Sequence, residues 1–194
     1  MNKLQEIIEE IKKLEKQLII EIEKKEEGFF YKIEGKKVYF ESETKKYHKK
    51  LATKIHTYLF NAPFLNILTA PVIWFRILPA LFMDAVVSGY QFVCLKEYGI
   101  PEVRRSDYID LDRHSLSYLN FIEKVNCVYC GYFNGLIAYV QEIAARTEQF
   151  WCPIKHARKM TSFHRRYHKF FDYGDYQKYK ESLEQLRRDF RDLE

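Results

Sequence analysis

Apolar residues recur every three or four positions through the first part of the chain. In the segment MNKLQEIIEEIKKLEKQLIIEIEKKEE this spacing predicts an amphipathic helix with coiled-coil-like repeats. Its apolar positions are Leu4, Ile8, Ile11, Leu14, Leu18 and Ile22. The segment lacks the apolar region of a secretory signal. The pattern leaves two hypotheses open: the helix packs on the protein's own core, or it associates with a second copy.

The pattern then changes to alternating apolar and polar residues. The stretch GFFYKIEGKKVYFES is typical of a short β-hairpin that turns between Glu34 and Lys37. A lone hairpin needs another element to lie on. A basic helix, TKKYHKKLATKIH, is predicted from Thr44 to His56. These three elements make up a first segment, residues 1–56.

The longest apolar run extends from Tyr58 to Leu95, and its only formal charges are Arg76 and Asp84. One membrane crossing needs about 20 apolar residues, so the segment 57–96 predicts two short crossings or one re-entrant or interfacial hairpin. Its prolines, which favour a broken path, are Pro63, Pro71 and Pro79. A charge in such a run is costly alone, so the two charged residues either pair or mark a turn, and we favour a turn at Arg76. A buried pair of soluble helices is the alternative.

Positive charges flank the apolar run on both sides. By the positive-inside rule, both ends, and with them the termini and the cysteines, are expected on the cytoplasmic side of a membrane. The 15 Tyr and 15 Phe residues also favour a membrane interface. The net charge of +5 suits anionic lipids, and no nucleic-acid motif accompanies it. Membrane lipids are therefore the expected partner, and nucleic acid is not.

A third segment, residues 97–160, carries the candidate chemistry. Apolar periodicity predicts two helices, roughly His114 to Cys130 and Gly135 to Trp151. Gly131 and Asn134 lie between them and predict a turn. The expected structure is a helical hairpin, with Asp112 as a candidate cap for its first helix.

Two short motifs in this segment have the residue types of a metal site. Cys127 and Cys130 form CVYC, and Cys152 and His156 form CPIKH. Three thiolates and an imidazole suit structural zinc or an iron-sulfur cluster. In a simple hairpin the two motifs lie about 25 Å apart. A shared site therefore needs a break in the second helix near residues 144–147 or a symmetric dimer; the other reading is two separate sites. We expect a shared site.

The same hairpin would place Glu123 level with Glu142, with His114 on the first helix. Facing carboxylates resemble the sites that hold paired iron or manganese ions in helical bundles. These three residues are the candidate catalytic groups of a metal-dependent oxidoreductase. The competing interpretation is that Arg146, one turn after Glu142, pairs with it as a brace.

The last segment, residues 161–194, is basic and aromatic, breaks at Gly174 and ends in a charged helix. His164 and His168 are interpreted as part of a basic surface rather than as metal ligands. The predicted fold is mainly α, a membrane-associated helical bundle with a small N-terminal β-hairpin. The predicted function is a membrane-anchored metal-binding protein, acting as a homo-oligomer or as a redox or accessory subunit of a membrane complex. The oxidoreductase and a purely structural subunit are the alternatives.

Overall fold

The computed structural model describes residues 3–27, 31–34 and 37–193, and these are mainly helical. The chain divides into two compact units. The first holds the described residues up to Phe60 together with Asp112–Val125. The second holds Asn61–Leu111 and the described residues from Asn126 onward. The candidate chemistry of residues 97–160 is therefore divided between them.

The first unit contains helices α1 and α2 and two strands. Their bounds are α1 Lys3–Glu27, β1 Tyr31–Glu34, β2 Lys37–Phe40 and α2 Ser42–Leu51. The strands pair antiparallel, with Ile33 opposite Val38. Phe29 and residues 35 and 36 lie outside the described residues. On α1, Ile11, Leu14 and Leu18 are exposed, so self-association of this helix stays a prediction.

The apolar run is helical almost throughout and does not reverse. Helix α3 (Ile55–Asn61) is followed by α4 (Phe64–Phe75), α5 (Ile77–Tyr90) and a π-helical turn, Gln91–Leu95. Arg76 is a turn residue between α4 and α5, but its helical dihedral angles, φ −59° and ψ −17°, let the helical path continue, so the predicted reversal of the chain at this position is absent. The apolar hairpin is therefore not formed.

The prolines lie at positions that the helices accommodate. Pro63 is the N-cap of α4, and Pro79 lies in the first turn of α5, where its missing N–H leaves no helical bond unmade. Pro71 is accommodated inside α4. Phe64–Leu95, 32 residues in all, is the one stretch among the described residues that is long and apolar enough to cross a membrane.

The central helical hairpin is also wrong. A single helix, α6, runs from Phe121 to Trp151, 31 residues, through the predicted turn. Its cap is not Asp112 but a reciprocal pair: Asn120 Oδ1 accepts a bond from the backbone N–H of Glu123, and Glu123 Oε2 accepts one from that of Asn120. Asp112 lies in a 3₁₀ turn, Asp112–Ser115.

Two glycines in α6 serve close packing rather than a turn. A methyl group at Gly135 would lie 2.5 Å from the carbonyl oxygen of Tyr108 and 2.9 Å from Cα of Ile109. One at Gly131 would lie 3.1 Å from the carbonyl oxygen of Asp110. Both contacts are with the strap, as we name residues 100–111, which link α5 to the 3₁₀ turn before α6. The glycines let the strap backbone lie directly on α6.

In the second unit, α5 and α6 run parallel and the strap runs back between them. Tyr139 of α6 is within 3.4 Å of Ser88 Oγ, and further along Tyr98 stacks on Phe150. The strap meets α6 in the opposite order, from Pro101 at Arg146 to Asp110 at Gly131. The core between these elements consists of Ala80, Leu95, Ile100, Val103, Leu136, Tyr139, Ile143 and Phe190.

The C-terminal region packs at the end of α6. Gly174 adopts φ +89°, which marks the predicted break, and α7 (Tyr176–Arg187) follows with Asp175 as its cap. Before it, the backbones of Ile154 and Phe171 form a parallel bridge. Nε2 of Gln149 in α6 donates two hydrogen bonds of 2.9 Å. One goes to the carbonyl oxygen of Leu186 in the last turn of α7, and the other to that of Asp189, just after α7.

We expect Gly135→Ala to destabilise the protein by about 1–3 kcal/mol, since its Cβ would overlap the strap backbone. Thermal unfolding in detergent measures the change. Gly89→Ala is the matched control, because Gly89 also lies in a helix and a Cβ there meets nothing within 4 Å. An equal loss of stability in both variants would contradict the packing role of Gly135.

Candidate functional site

The two metal-like cysteine motifs lie far apart in space. Cys127 and Cys130 are one turn apart in the first half of α6; Cys127 is half-buried and Cys130 is exposed. Cys152 and His156 follow the end of α6 and are exposed. Because α6 has no break, about 30 Å of helix separates Cys130 from Cys152. The expected break near residues 144–147, which a shared site within one chain requires, is absent.

Within the part of the chain that the structure describes, no group of three or more His, Cys, Asp or Glu side chains is placed to hold a metal ion. Each half-motif therefore supplies at most two ligands. A site shared between two chains, or two separate sites, stays a prediction. The backbone N–H of His156 donates a hydrogen bond to the Tyr167 hydroxyl oxygen at 2.7 Å, and the His156 ring stacks on the Tyr167 ring.

The three candidate catalytic residues are not brought together as a carboxylate site. Glu123 and Glu142 lie on the same helix rather than on facing helices. Glu123 is engaged in the cap of α6. His114 lies outside that helix, in the 3₁₀ turn. The hairpin that would have aligned them is absent, so a paired-metal site on this chain alone has no geometric support.

Glu142 instead forms a buried brace. It accepts bonds from Nε of Arg146 at 2.9 Å and from Nε of Arg166 at 3.2 Å. The side chain of Arg166 is only 3% exposed, so its charge requires compensation. Arg146 also donates to the carbonyl oxygens of Pro101 and Glu102 in the strap, at 2.7 and 3.1 Å. The brace joins α6, the strap and the C-terminal region.

Arg166 also anchors the C-terminal end of the chain. Arg166 donates to Oε1 of Gln149 at 3.0 Å and pairs with Asp192 at 3.2 Å. Lys169 pairs with Asp192 at 2.6 Å. Burial acts to raise the pKa of Asp192, but the bond from Lys169 and the charge of Arg166 hold that pKa below its usual value. The carboxylate is thus kept ionised in its role as an anchor.

A second polar cluster surrounds Asp84, one of the two charges in the apolar run. Its carboxylate accepts bonds from Arg105 at 2.7 and 3.2 Å, from Tyr132 at 2.8 Å and from Ser88 at 3.3 Å. Pairing with Arg76, the alternative to a turn at that residue, is not formed; the Arg76 guanidinium lies 4.2 Å from the ring centre of Phe133.

Further along the same helix, Gln91 forms two hydrogen bonds with the backbone of one strap residue, Val103. Its Oε1 accepts a bond from the backbone N–H of Val103 at 2.8 Å, and its Nε2 donates to the carbonyl of Val103 at 3.1 Å. Nε2 also lies 3.2 Å from the Tyr139 hydroxyl. The π-helical turn begins at Gln91 and sets the position of this side chain.

Sequence reasoning missed most of these polar residues. Arg105, Tyr132, Gln91, Gln149 and Arg166 stand in no motif and meet only because the strap and the C-terminal region fold back onto α6. One signal was available: the i, i+4 spacing of Glu142 and Arg146 indicated their pairing, and the structure has it. Comparison of the chain with protein-family models, with curated proteins and with solved structures finds no match.

We expect Glu142→Gln to destabilise the protein by about 3 kcal/mol and to leave its metal content unchanged, because the substitution removes the counter-charge of buried Arg146 and leaves buried Arg166 with Asp192 alone. Denaturant unfolding and elemental analysis measure the two effects. Glu9→Gln is the control: Glu9 pairs with Lys12 while 67% exposed, so its loss should cost under about 1 kcal/mol. Loss of bound metal from Glu142→Gln without loss of stability would instead support a carboxylate metal site.

Proposed function

We propose that this chain is a membrane-anchored helical scaffold, an accessory subunit rather than an enzyme. The apolar segment, as we name Phe64–Leu95, is its anchor, and the second unit is built on that anchor. The carboxylates that the sequence suggests as catalytic groups act in the cap of α6 and in the brace, which supports a structural role. The proposal rests on one observation about α5.

The polar and apolar faces of α5 and its π-helical turn are inverted relative to a helix on the surface of a soluble protein. Asp84 and Gln91 face the protein and are 9% and 8% exposed, whereas Phe82 and Phe92 face outward and are 72% and 68% exposed. In water the apolar side chains would be expected to pack inward, since burying one such side chain is worth about 1.5–3 kcal/mol. Polar residues that face the protein interior are typical of helices in contact with lipid.

Helix α4 extends the same surface without an inward face of its own. None of its residues is buried, and Phe64, Val72 and Phe75 are about 70% exposed or more. A helix that is apolar on all sides is typical of a protein core or of a membrane. Lipid on the outer side of α5 and around α4 would cover the exposed apolar side chains of both helices.

The strap indicates how the segment is oriented. Its charged, exposed residues run beside α5 along most of its length; they include Glu102, Arg104 and Asp107. A crossing perpendicular to the membrane would carry these charges through the hydrocarbon, at a cost of several kcal/mol. An orientation in the plane of the interface keeps the strap in water and the outer face of α5 in lipid. The apolar segment, about 48 Å long, exceeds the hydrocarbon thickness and does not need to span it.

We expect the full-length protein to pellet with membranes and to resist high-salt washing. The triple variant Phe82→Glu, Val86→Glu and Val93→Glu should lose at least about 100-fold in membrane partition, because all three side chains are exposed on the outer face and would leave lipid. The control places three glutamates at Ile11, Leu14 and Leu18 of α1, which are also exposed. Wild-type protein that is soluble and monomeric without detergent would refute the anchor.

An in-plane orientation also predicts sidedness. With the four native cysteines replaced by serine, Lys54→Cys and Lys96→Cys flank the apolar segment on its two sides. Both should react with an impermeant maleimide from the cytoplasmic face of sealed vesicles, and neither from the other face. Reaction of the two positions from opposite faces would show a crossing, and the orientation proposed here would then be rejected.

Metal binding is a second candidate. It rests on the free thiols of Cys127 and Cys130, whose one-turn spacing on α6 suits two ligands of zinc or of an iron-sulfur cluster. Completing the site requires a second chain, with either its CVYC pair or its Cys152 and His156. Metal content per chain should fall to near zero in Cys127→Ser. Wild-type protein purified without zinc or iron would exclude this function and would leave the membrane anchor untouched.

A further inference from the structure

We infer that the loop of residues 157–163, which follows α6, binds the phosphate headgroups of acidic phospholipids and rests on the same membrane as the apolar segment. The inference builds on the proposed membrane anchor and names its lipid. We refer to these residues as the basic loop. Their sequence is ARKMTSF, and all seven are exposed.

The basic loop is held at its base. The backbone N–H of Lys155 donates to the carbonyl of Phe171 at 2.8 Å, and that of Phe171 donates to the carbonyl of Pro153 at 2.9 Å. On the far side, His164 bonds to Glu148 of α6 at 3.0 Å. The ends of the loop are thus fixed to α6 and to the C-terminal region, while its tip projects outward.

The basic side chains of this region fall into two groups, those paired with carboxylates and those at the tip of the loop, and the second group favours an anionic ligand. Lys155, at the base, is paired with Asp172 at 2.7 Å, and Lys169 is paired with Asp192. Arg158 and Lys159, at the tip, form no ion pair or hydrogen bond with the described residues. Basic side chains near an anionic bilayer each contribute to binding, and their contribution falls off within a Debye length.

Apolar side chains in the basic loop favour a lipid over a nucleic acid or an acidic peptide. Met160 is 38% exposed and Phe163 is 60% exposed, next to the two cations. Such side chains gain free energy by inserting beneath headgroups, whereas a nucleic-acid backbone offers them no apolar layer. The combination of cations and apolar tips matches an anionic membrane surface.

The end of α6, which leads into the basic loop, lies beside the residues that follow the apolar segment. Trp151, which precedes the loop and is 53% exposed, meets Tyr98 edge to face with ring centres 5.3 Å apart. Tyr98 follows the π-helical turn and also stacks on Phe150 at 5.3 Å. Trp at this position is typical of the membrane–water interface. The apolar segment and the basic loop therefore belong to one compact unit, and the chain enters the loop from a helix end that lies beside the end of the segment.

The test uses the full chain, diluted from detergent onto vesicles and recovered by flotation. Vesicles of phosphatidylcholine alone are compared with vesicles that contain phosphatidylglycerol as well. Wild-type protein should bind the acidic vesicles more tightly, and added salt should remove the gain. Arg158→Gln with Lys159→Gln should reduce the gain about fivefold for each residue while leaving binding to phosphatidylcholine unchanged. Lys178→Gln with Lys180→Gln, on α7, changes the net charge equally and should keep the gain.

The possible results separate the two proposals. Absence of binding to either vesicle would refute the membrane anchor itself. Equal binding of wild-type protein to both vesicles would refute only the headgroup site, and so would a gain that survives Arg158→Gln with Lys159→Gln or that the α7 control removes. Displacement from acidic vesicles by a short RNA at equal phosphate concentration would assign the basic loop to nucleic acid and overturn the inference.

Discussion

The close approach of the strap backbone to α6 is the contact on which the second unit depends. At Gly135 the strap lies so near the helix that even a methyl group would overlap the carbonyl oxygen of Tyr108. This proximity places the strap in the groove between α5 and α6, where its backbone and side chains reach both helices. Val103 is then positioned for Gln91, and Arg105 for Asp84. A strap displaced by the width of a side chain would break the hydrogen bonds between Gln91 and Val103 and those between Asp84 and Arg105.

The inverted faces of α5 follow from that arrangement. Because the strap and α6 present polar groups to α5, the polar residues of α5 turn inward and its apolar residues remain outside. The outer face of α5 is therefore apolar and exposed, and α4 has no buried residue; these are the surfaces that the proposed lipid contact would cover.

The titratable groups of the second unit are largely used to hold it together. Glu142 compensates two arginines, and Asp192 compensates Arg166 and Lys169. A charge engaged in this way is a poor ligand or general base, because releasing it exposes a buried partner. The cations of the basic loop differ, since Arg158 and Lys159 are exposed and form no ion pair or hydrogen bond with the described residues.

The sequence by itself determined the features that depend on neighbouring residues. Helical periodicity predicted α1 and the helical content of α6, the apolar composition of residues 58–95 predicted a segment long and apolar enough to cross a membrane, and the i, i+4 spacing indicated the pair of Glu142 and Arg146. Only the tertiary structure decided the path of the chain: α6 continues through Gly131 and Gly135, and the apolar segment continues through Arg76. Glycine is favoured both in turns and at close backbone contacts, so the glycines alone could not distinguish them. The distance between the two cysteine motifs depends on whether α6 is continuous, because one unbroken helix keeps CVYC and CPIKH near its opposite ends.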